Sequence, residues 1–154
     1  MSTPADVHAR LGAIAATVAV AESLTGGLLC AALTETAGAS ATVRGGLVVY
    51  ATDLKSALAG VSEALLAQRG AVDPEVALAL ARGARTRLGA TFGVGVTGVA
   101  GPDMQDGKPV GTVFAAVAGP RGEVVREHRL SGERAAIRAE AVQVCLDLLL
   151  TELN

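Results

Sequence analysis

Apolar and polar positions along this chain fall into blocks that switch between a helical and an extended period. Residues 5 to 16 read as a helix, TVAVA at 17 to 21 as a short buried strand, and residues 25 to 36 as a second helix. GGLVVY at 45 to 50 is another strand, followed by helical pieces near 53 to 58 and 62 to 69. Asp73 and Pro74 supply a cap and a first-turn proline for a helix that runs to about Leu88. Strands are expected at 91 to 97, 110 to 118 and 123 to 130, the last two joined as a hairpin by GPRG at 119 to 122. In the final helix Ile137, Ala141, Val144, Cys145 and Leu148 form one buried stripe, which makes Cys145 a core residue. Helices alternating with strands, then a closing hairpin, predict an α/β fold whose mixed sheet is covered on both faces.

Composition narrows the partners. At 154 residues the chain can bury roughly two-thirds of its unfolded surface in one core and is short for two domains, so residues 1–154 read as a single domain. Aromatic residues make up only 2%, which leaves Ala, Val and Leu to build the core through close backbone contacts. The 19 glycines exceed what helix ends require and suggest loops where backbone passes near a ligand. With a formal charge of −2 and no Lys or Arg run, no cationic stripe exists for a phosphate backbone, and no nucleic-acid partner is expected. The uncharged run from Leu11 to Ala21 is short and leads into Glu22, while that from Leu88 to Pro102 is interrupted by five glycines. No signal peptide or membrane span is expected, and the location is expected to be cytoplasmic. Cys30 and Cys145 lack metal-ligand spacing and read as reduced, structural thiols; no metal site is expected.

GVGVTGVAGP at 93 to 102 contains Gly93, Gly95 and Gly98 in the G-x-G-x-x-G spacing of a dinucleotide fingerprint. That motif needs its glycines after a strand and a helix opening directly behind them, because the helix N-terminus holds the phosphate. Here the glycines lie inside the strand, and Gly98 leads to Val99, Ala100, Gly101 and Pro102. GPDMQDGK fails as a P-loop, with five residues between Gly101 and Gly107 and proline after Lys108. What remains is a strand that either delivers the Thr97 hydroxyl to a glycine-lined binding loop or simply ends in threonine.

AESLTGG at 21 to 27 sets Ser23 between a buried strand and a helix whose first turn would contain Gly26 and Gly27. Unpaired N–H groups at such a point can stabilise a phosphate or the oxyanion of acyl transfer, and Ser23 lies where a nucleophile would use them. The alternative is that Ser23 or Thr25 caps the helix. No G-x-S-x-G elbow is present, and His8 and His128 are poorly placed for a triad. Lysine is the other base available to a serine; it must be neutral, its pKa lowered from about 10.4 by burial or nearby positive charge. Lys55 is the candidate, five residues after Tyr50, the only tyrosine. Read singly, a lysine such as Lys55 is more often solvated and a tyrosine such as Tyr50 more often a packing residue at a strand end. Arg134 sits in SGERAAIR with Ser131 as a possible cap; a cation in a first helical turn opposes the dipole and is free to bind an anion.

Taken together, AESLTGG, GGLVVYATDLKSALAGV, GAVDPEVA, GVTGVAGP, KPVGTV and SGERAAIR resemble the CinA C-terminal domain family of nicotinamide-nucleotide amidohydrolases, also called PncC, in order and spacing from about residue 5 to 150. The resemblance implies a three-layer α/β/α sandwich, commonly a homodimer, with no metal or organic cofactor. It also implies hydrolysis of the carboxamide of nicotinamide mononucleotide to nicotinic acid mononucleotide and ammonia. By motif, the family's nucleophile falls on Ser23, its tyrosine and lysine on Tyr50 and Lys55, its strand-end hydroxyl on Thr97 and its arginine on Arg134. On this reading Lys55 is the base, Tyr50 and Thr97 orient it and relay protons, and Gly26 and Gly27 hold the oxyanion. Thr25, Gly98 and Arg134 complete the substrate contacts, Arg134 at the phosphate; Ser40 is the next candidate nucleophile. Two other readings are a catalytically idle nucleotide-binding module and an interaction protein linked to competence or damage. The sequence departs from the family pattern in three places: Leu24 replaces a cysteine, Ala51 and Thr52 replace Ser-Asn, and the Asp103 to Lys108 loop is shorter and poorer in glycine. Some members carry a further N-terminal domain resembling molybdopterin-binding proteins, and the phosphatase activity of that domain is expected to be missing here.

Overall fold

A computed structural model describes residues 1–154. In chain order its elements are α1 (Pro4–Ala13), β1 (Val18–Glu22), α2 (Leu28–Thr34), a 3-10 turn (Ala39–Ala41), β2 (Val43–Val48), α3 (Thr52–Ala59), α4 (Glu63–Arg69), α5 (Pro74–Arg87), β3 (Phe92–Gly98), β4 (Thr112–Gly119), β5 (Gly122–Arg129) and α6 (Arg134–Leu153). The strands form one sheet in the order β2-β1-β3-β4-β5. β1 pairs in parallel with β2 and β3, whereas β3, β4 and β5 are antiparallel neighbours. The expected hairpin is present, closed by the Gly119 and Gly122 pair.

Alternation along the strands sends side chains to two cores. Val18, Val20, Val94 and Val96 pack with α1, α2 and α6, while Ala19 and Ala21 pack with α3, α4 and α5. This is the three-layer α/β/α sandwich, and Cys145 is buried in the first core.

The element boundaries differ from expectation where backbone geometry intervenes. α1 stops at Ala13, two residues before Ala15 at φ 53°. α2 begins only at Leu28, because Gly26 and Gly27 have φ of 56° and 104° and so form a turn ahead of the helix. β2 ends at Val48, so Tyr50 lies past the strand. α6 is preceded by Glu133 at its cap position without a side-chain bond, so Ser131 is not the cap.

β1 and β3 are adjacent, yet the chain leaves β1 towards β2 on one side and leaves β3 towards β4 on the other. Their C-terminal ends therefore form the crevice where ligands gather in open α/β sheets. Ser23 follows the first of these ends and Val99 the second.

Candidate active site

Ser23 is anchored at that crevice by its own N–H, which donates to the Val96 carbonyl at 3.0 Å and so joins the turn to β3. Lys55 reaches it from α3. The residue is 1% exposed, and Nζ lies 2.9 Å from Ser23 Oγ, 2.9 Å from the Val49 carbonyl and 3.1 Å from the Tyr50 carbonyl. Burial lowers the pKa of this amine from 10.5 to about 8, while the Asp106 carboxylate pulls the other way. A neutral amine has two N–H donors and one lone pair; the two carbonyls match the donors, which leaves the lone pair for the Ser23 hydroxyl.

Beside the dyad is a cleft of about 380 Å³ lined by Ser23, Leu24, Tyr50, Arg134 and the segment from Gly98 to Gln105. Gly98 and Gly101 belong to it, and Gly93 and Gly95 do not. A Cβ on Gly93 would stand 2.0 Å from the Ala81 carbonyl oxygen, and one on Gly95 2.3 Å from that of Ala77. Those glycines exist so that α5 can lie directly on β3.

Arg134 donates to the Gly101 carbonyl and, at 3.2 Å, to the Tyr50 hydroxyl, bridging the two walls of the cleft. Tyr50 is 59% exposed and meets Lys55 through its carbonyl. Thr97 is buried and donates at 2.8 Å to the Ala71 carbonyl. The Ala71 N–H in turn donates to Asp106 at 2.9 Å, and Lys108 Nζ donates to the Val72 carbonyl at 3.0 Å. Neither hydroxyl hydrogen-bonds to the dyad, which corrects the expectation of a Tyr50 and Thr97 proton relay. Thr97 instead helps to hold the segment against which Asp106 sits.

The expected oxyanion donors also need correction. Gly26 N–H donates to the Ser23 carbonyl at 3.1 Å. Gly27 N–H donates to Glu22 Oε1 at 3.3 Å, and Leu29 and Cys30 N–H donate to the same carboxylate at 2.9 Å each. Glu22 thus caps α2 from the end of β1 and occupies its positive end. The N–H groups of Leu24 and Thr25 donate to no protein acceptor. The Thr25 hydroxyl is buried without a partner in the same turn, and Thr25 does not line the cleft. Sequence reasoning passed over Glu22, although a carboxylate ending the buried run VAVAE must find donors, and a helix behind two glycines lacks a cap of its own.

His8 is bonded between Thr42 Oγ1 and the Leu33 carbonyl, and His128 lies on β5; neither reaches Ser23. Ser40 is exposed in the 3-10 turn. No three His, Cys, Asp or Glu side chains converge as a metal-ligand set. No helix is long and apolar enough to cross a membrane.

Comparison with known proteins assigns this architecture. The model of the CinA C-terminal domain family matches residues 2–153. A CinA-like protein of Frankia casuarinae is 56% identical over 134 residues, covering 87% of this chain and 31% of its own length. The chain spans about a third of the length of the curated relatives it matches. Among solved structures, a competence/damage inducible protein, CihA, of Agrobacterium tumefaciens superposes with a TM-score of 0.88 at 38% identity, covering 98% of each chain. A CinA superfamily protein of Klebsiella pneumoniae gives a TM-score of 0.94 at 30% identity, covering 97% of this chain and 94% of that one.

Proposed function

We propose that this chain, which belongs to the CinA C-terminal domain family, is a serine amidohydrolase that converts nicotinamide mononucleotide and water to nicotinic acid mononucleotide and ammonia. The observation that carries the reading is the buried Lys55 amine at 2.9 Å from Ser23 Oγ, with two carbonyls satisfying its N–H groups. Such a lysine takes the serine proton as Oγ attacks the carboxamide carbon. Negative charge that develops on the amide oxygen is met by the free N–H group of Leu24, which lines the cleft beside Ser23. Lys55 returns the proton to the departing nitrogen, and ammonia leaves an acyl-Ser23 ester. Water then gives a proton to Lys55 and its oxygen to the ester carbon, which frees the acid and restores Ser23. Arg134, the cation lining the cleft, receives the substrate phosphate through the guanidinium N–H groups that Gly101 and Tyr50 leave open.

The decisive experiment is ammonia release from purified protein given nicotinamide mononucleotide, with free nicotinamide and Ser23→Ala as controls. Release from the nucleotide alone, abolished by the substitution, is the expected result. Saturable nucleotide binding without release identifies an idle binding module instead, and release that persists in Ser23→Ala reassigns the nucleophile.

A further inference from the structure

The turn that presents Ser23 is held from outside by one residue with no role in the chemistry above. Arg138, half-buried on α6, donates from Nε to the Leu24 carbonyl at 2.9 Å and from Nη2 to the Thr25 carbonyl at 3.3 Å. Its guanidinium has no carboxylate within ion-pair distance, unlike those of Arg69, Arg82 and Arg129. The turn is shaped to admit it, since a Cβ on Gly26 would stand 3.1 Å from Nη2. A cation removed from much of its water and spent on two neutral carbonyls calls for a reason.

Peptide geometry supplies one. In a trans peptide the C=O and N–H point in opposite directions. The Ser23 carbonyl accepts from Gly26 N–H, so the Leu24 N–H is directed away from that bond. Because Arg138 Nε holds the Leu24 carbonyl, the Thr25 N–H is turned away from α6. A cation on the carbonyl also polarises the peptide and makes its N–H a stronger donor. Arg138 also holds the Thr25 carbonyl, whose peptide carries the Gly26 N–H that bonds Ser23, so the Leu24 N–H, on a residue that lines the cleft, is fixed before any oxyanion forms, the arrangement that stabilises a transition state without reorganisation.

We infer that Arg138 is a positioning residue that, by holding the Leu24 and Thr25 carbonyls and through them the hydrogen bond from Gly26 N–H to the Ser23 carbonyl, orients the Leu24 N–H to receive the oxyanion formed at Ser23. The inference rests on the serine-nucleophile reading, and its test separates the two. Wild type, Arg138→Lys, Arg138→Met and Ser23→Ala are compared on nicotinamide mononucleotide and on 4-nitrophenyl acetate, an activated ester that reports acylation of the serine without a nucleotide. Folded fraction is measured for each by thermal unfolding.

For Arg138→Met the expected result is a fall in kcat of roughly 10²-fold, the scale of a lost oxyanion donor, with KM held within about twofold. Acylation by the ester falls in parallel, and Arg138→Lys recovers part of both rates. A kcat per folded molecule that stays at the wild-type value, whatever happens to the melting temperature, overturns the inference and leaves Arg138 a structural tie. If wild type is acylated at Ser23 yet releases no ammonia from the nucleotide, the substrate assignment fails and the ester rates alone decide the role of Arg138. Absence of Ser23-dependent acylation and of ammonia release in wild type overturns both.

Discussion

Two glycine-rich stretches look alike on paper and do opposite work: the serine turn, Ser23 to Gly27, and the strand β3, Phe92 to Gly98. In the turn, positive φ at Gly26 and Gly27 bends the chain so that Ser23 and two unbonded N–H groups precede the helix, and the helix end itself belongs to Glu22. In β3, Gly93 and Gly95 have ordinary strand geometry; what they lack is a side chain, because the α5 backbone occupies that space. The same residue serves conformation in one place and close approach in the other. Gly93 and Gly95 open the spacing that resembles a nucleotide fingerprint, and neither lines the cleft; of that trio only Gly98 does.

The contrast can be broken by substitutions that strike one region and spare the other. Ser23→Ala is expected to lower amidase turnover by roughly 10³-fold or more with thermal stability close to wild type, as measured by ammonia release and calorimetry. Lys55→Met should follow with a loss of roughly 10² to 10⁴-fold at neutral pH. It carries a second signature in the stability profile. The folded pKa of about 8 lies below the ordinary 10.5, so between those values the unfolded chain binds more protons and stability rises with pH. The wild-type minus Lys55→Met difference in denaturant unfolding should therefore rise from about pH 8 to about pH 10.5, and a flat difference would mean that the amine is not buried as described.

Gly95→Ala attacks the other region. Its Cβ would meet backbone atoms of α5 at 2.3 and 2.6 Å, so a destabilisation of roughly 1–3 kcal/mol is expected, with activity per folded molecule unchanged. Full stability in this variant would dissolve the distinction between the two glycine sets. A milder change sharpens the dyad: Asp106→Asn preserves an acceptor for Ala71 N–H while removing the charge that raises the Lys55 pKa. The pH–rate profile, rising as Lys55 loses its proton, should move to lower pH. The smallest effect concerns the helix that carries Lys55. Ala51 stands at its cap position with no side-chain bond, so Ala51→Ser is expected to add about 0.5–1 kcal/mol in chemical unfolding without altering turnover.

Much of the molecule was legible before its structure. Asp73 does cap α5 ahead of Pro74, the hairpin closes between Gly119 and Gly122, and Cys145 is core, because each depends on residues close in the chain or on a single periodicity. Ser23 and Lys55 could be paired by chemical requirement, since a serine without an available histidine needs another base, and Lys55 was the candidate that stood out. Other features depended on contacts that no local pattern records. Which carbonyls hold the Lys55 amine follows from where α3 meets the chain after β2. That Glu22 takes the helix end, and so moves the free donors to Leu24 and Thr25, follows from a strand end and a helix start being folded together.

By itself, then, the sequence determined the helices, strands and hairpin and the inventory of reactive side chains, since propensity, capping and turn chemistry act over a few neighbouring residues. Tertiary structure alone decided which donors stay unpaired, that the Tyr50 and Thr97 hydroxyls bond Arg134 and the Ala71 carbonyl and not Lys55, and that Arg138 grips the serine turn from 113 and 114 residues away. Hydrogen bonds at such separations depend on how the layers pack, and packing is a property of the whole chain.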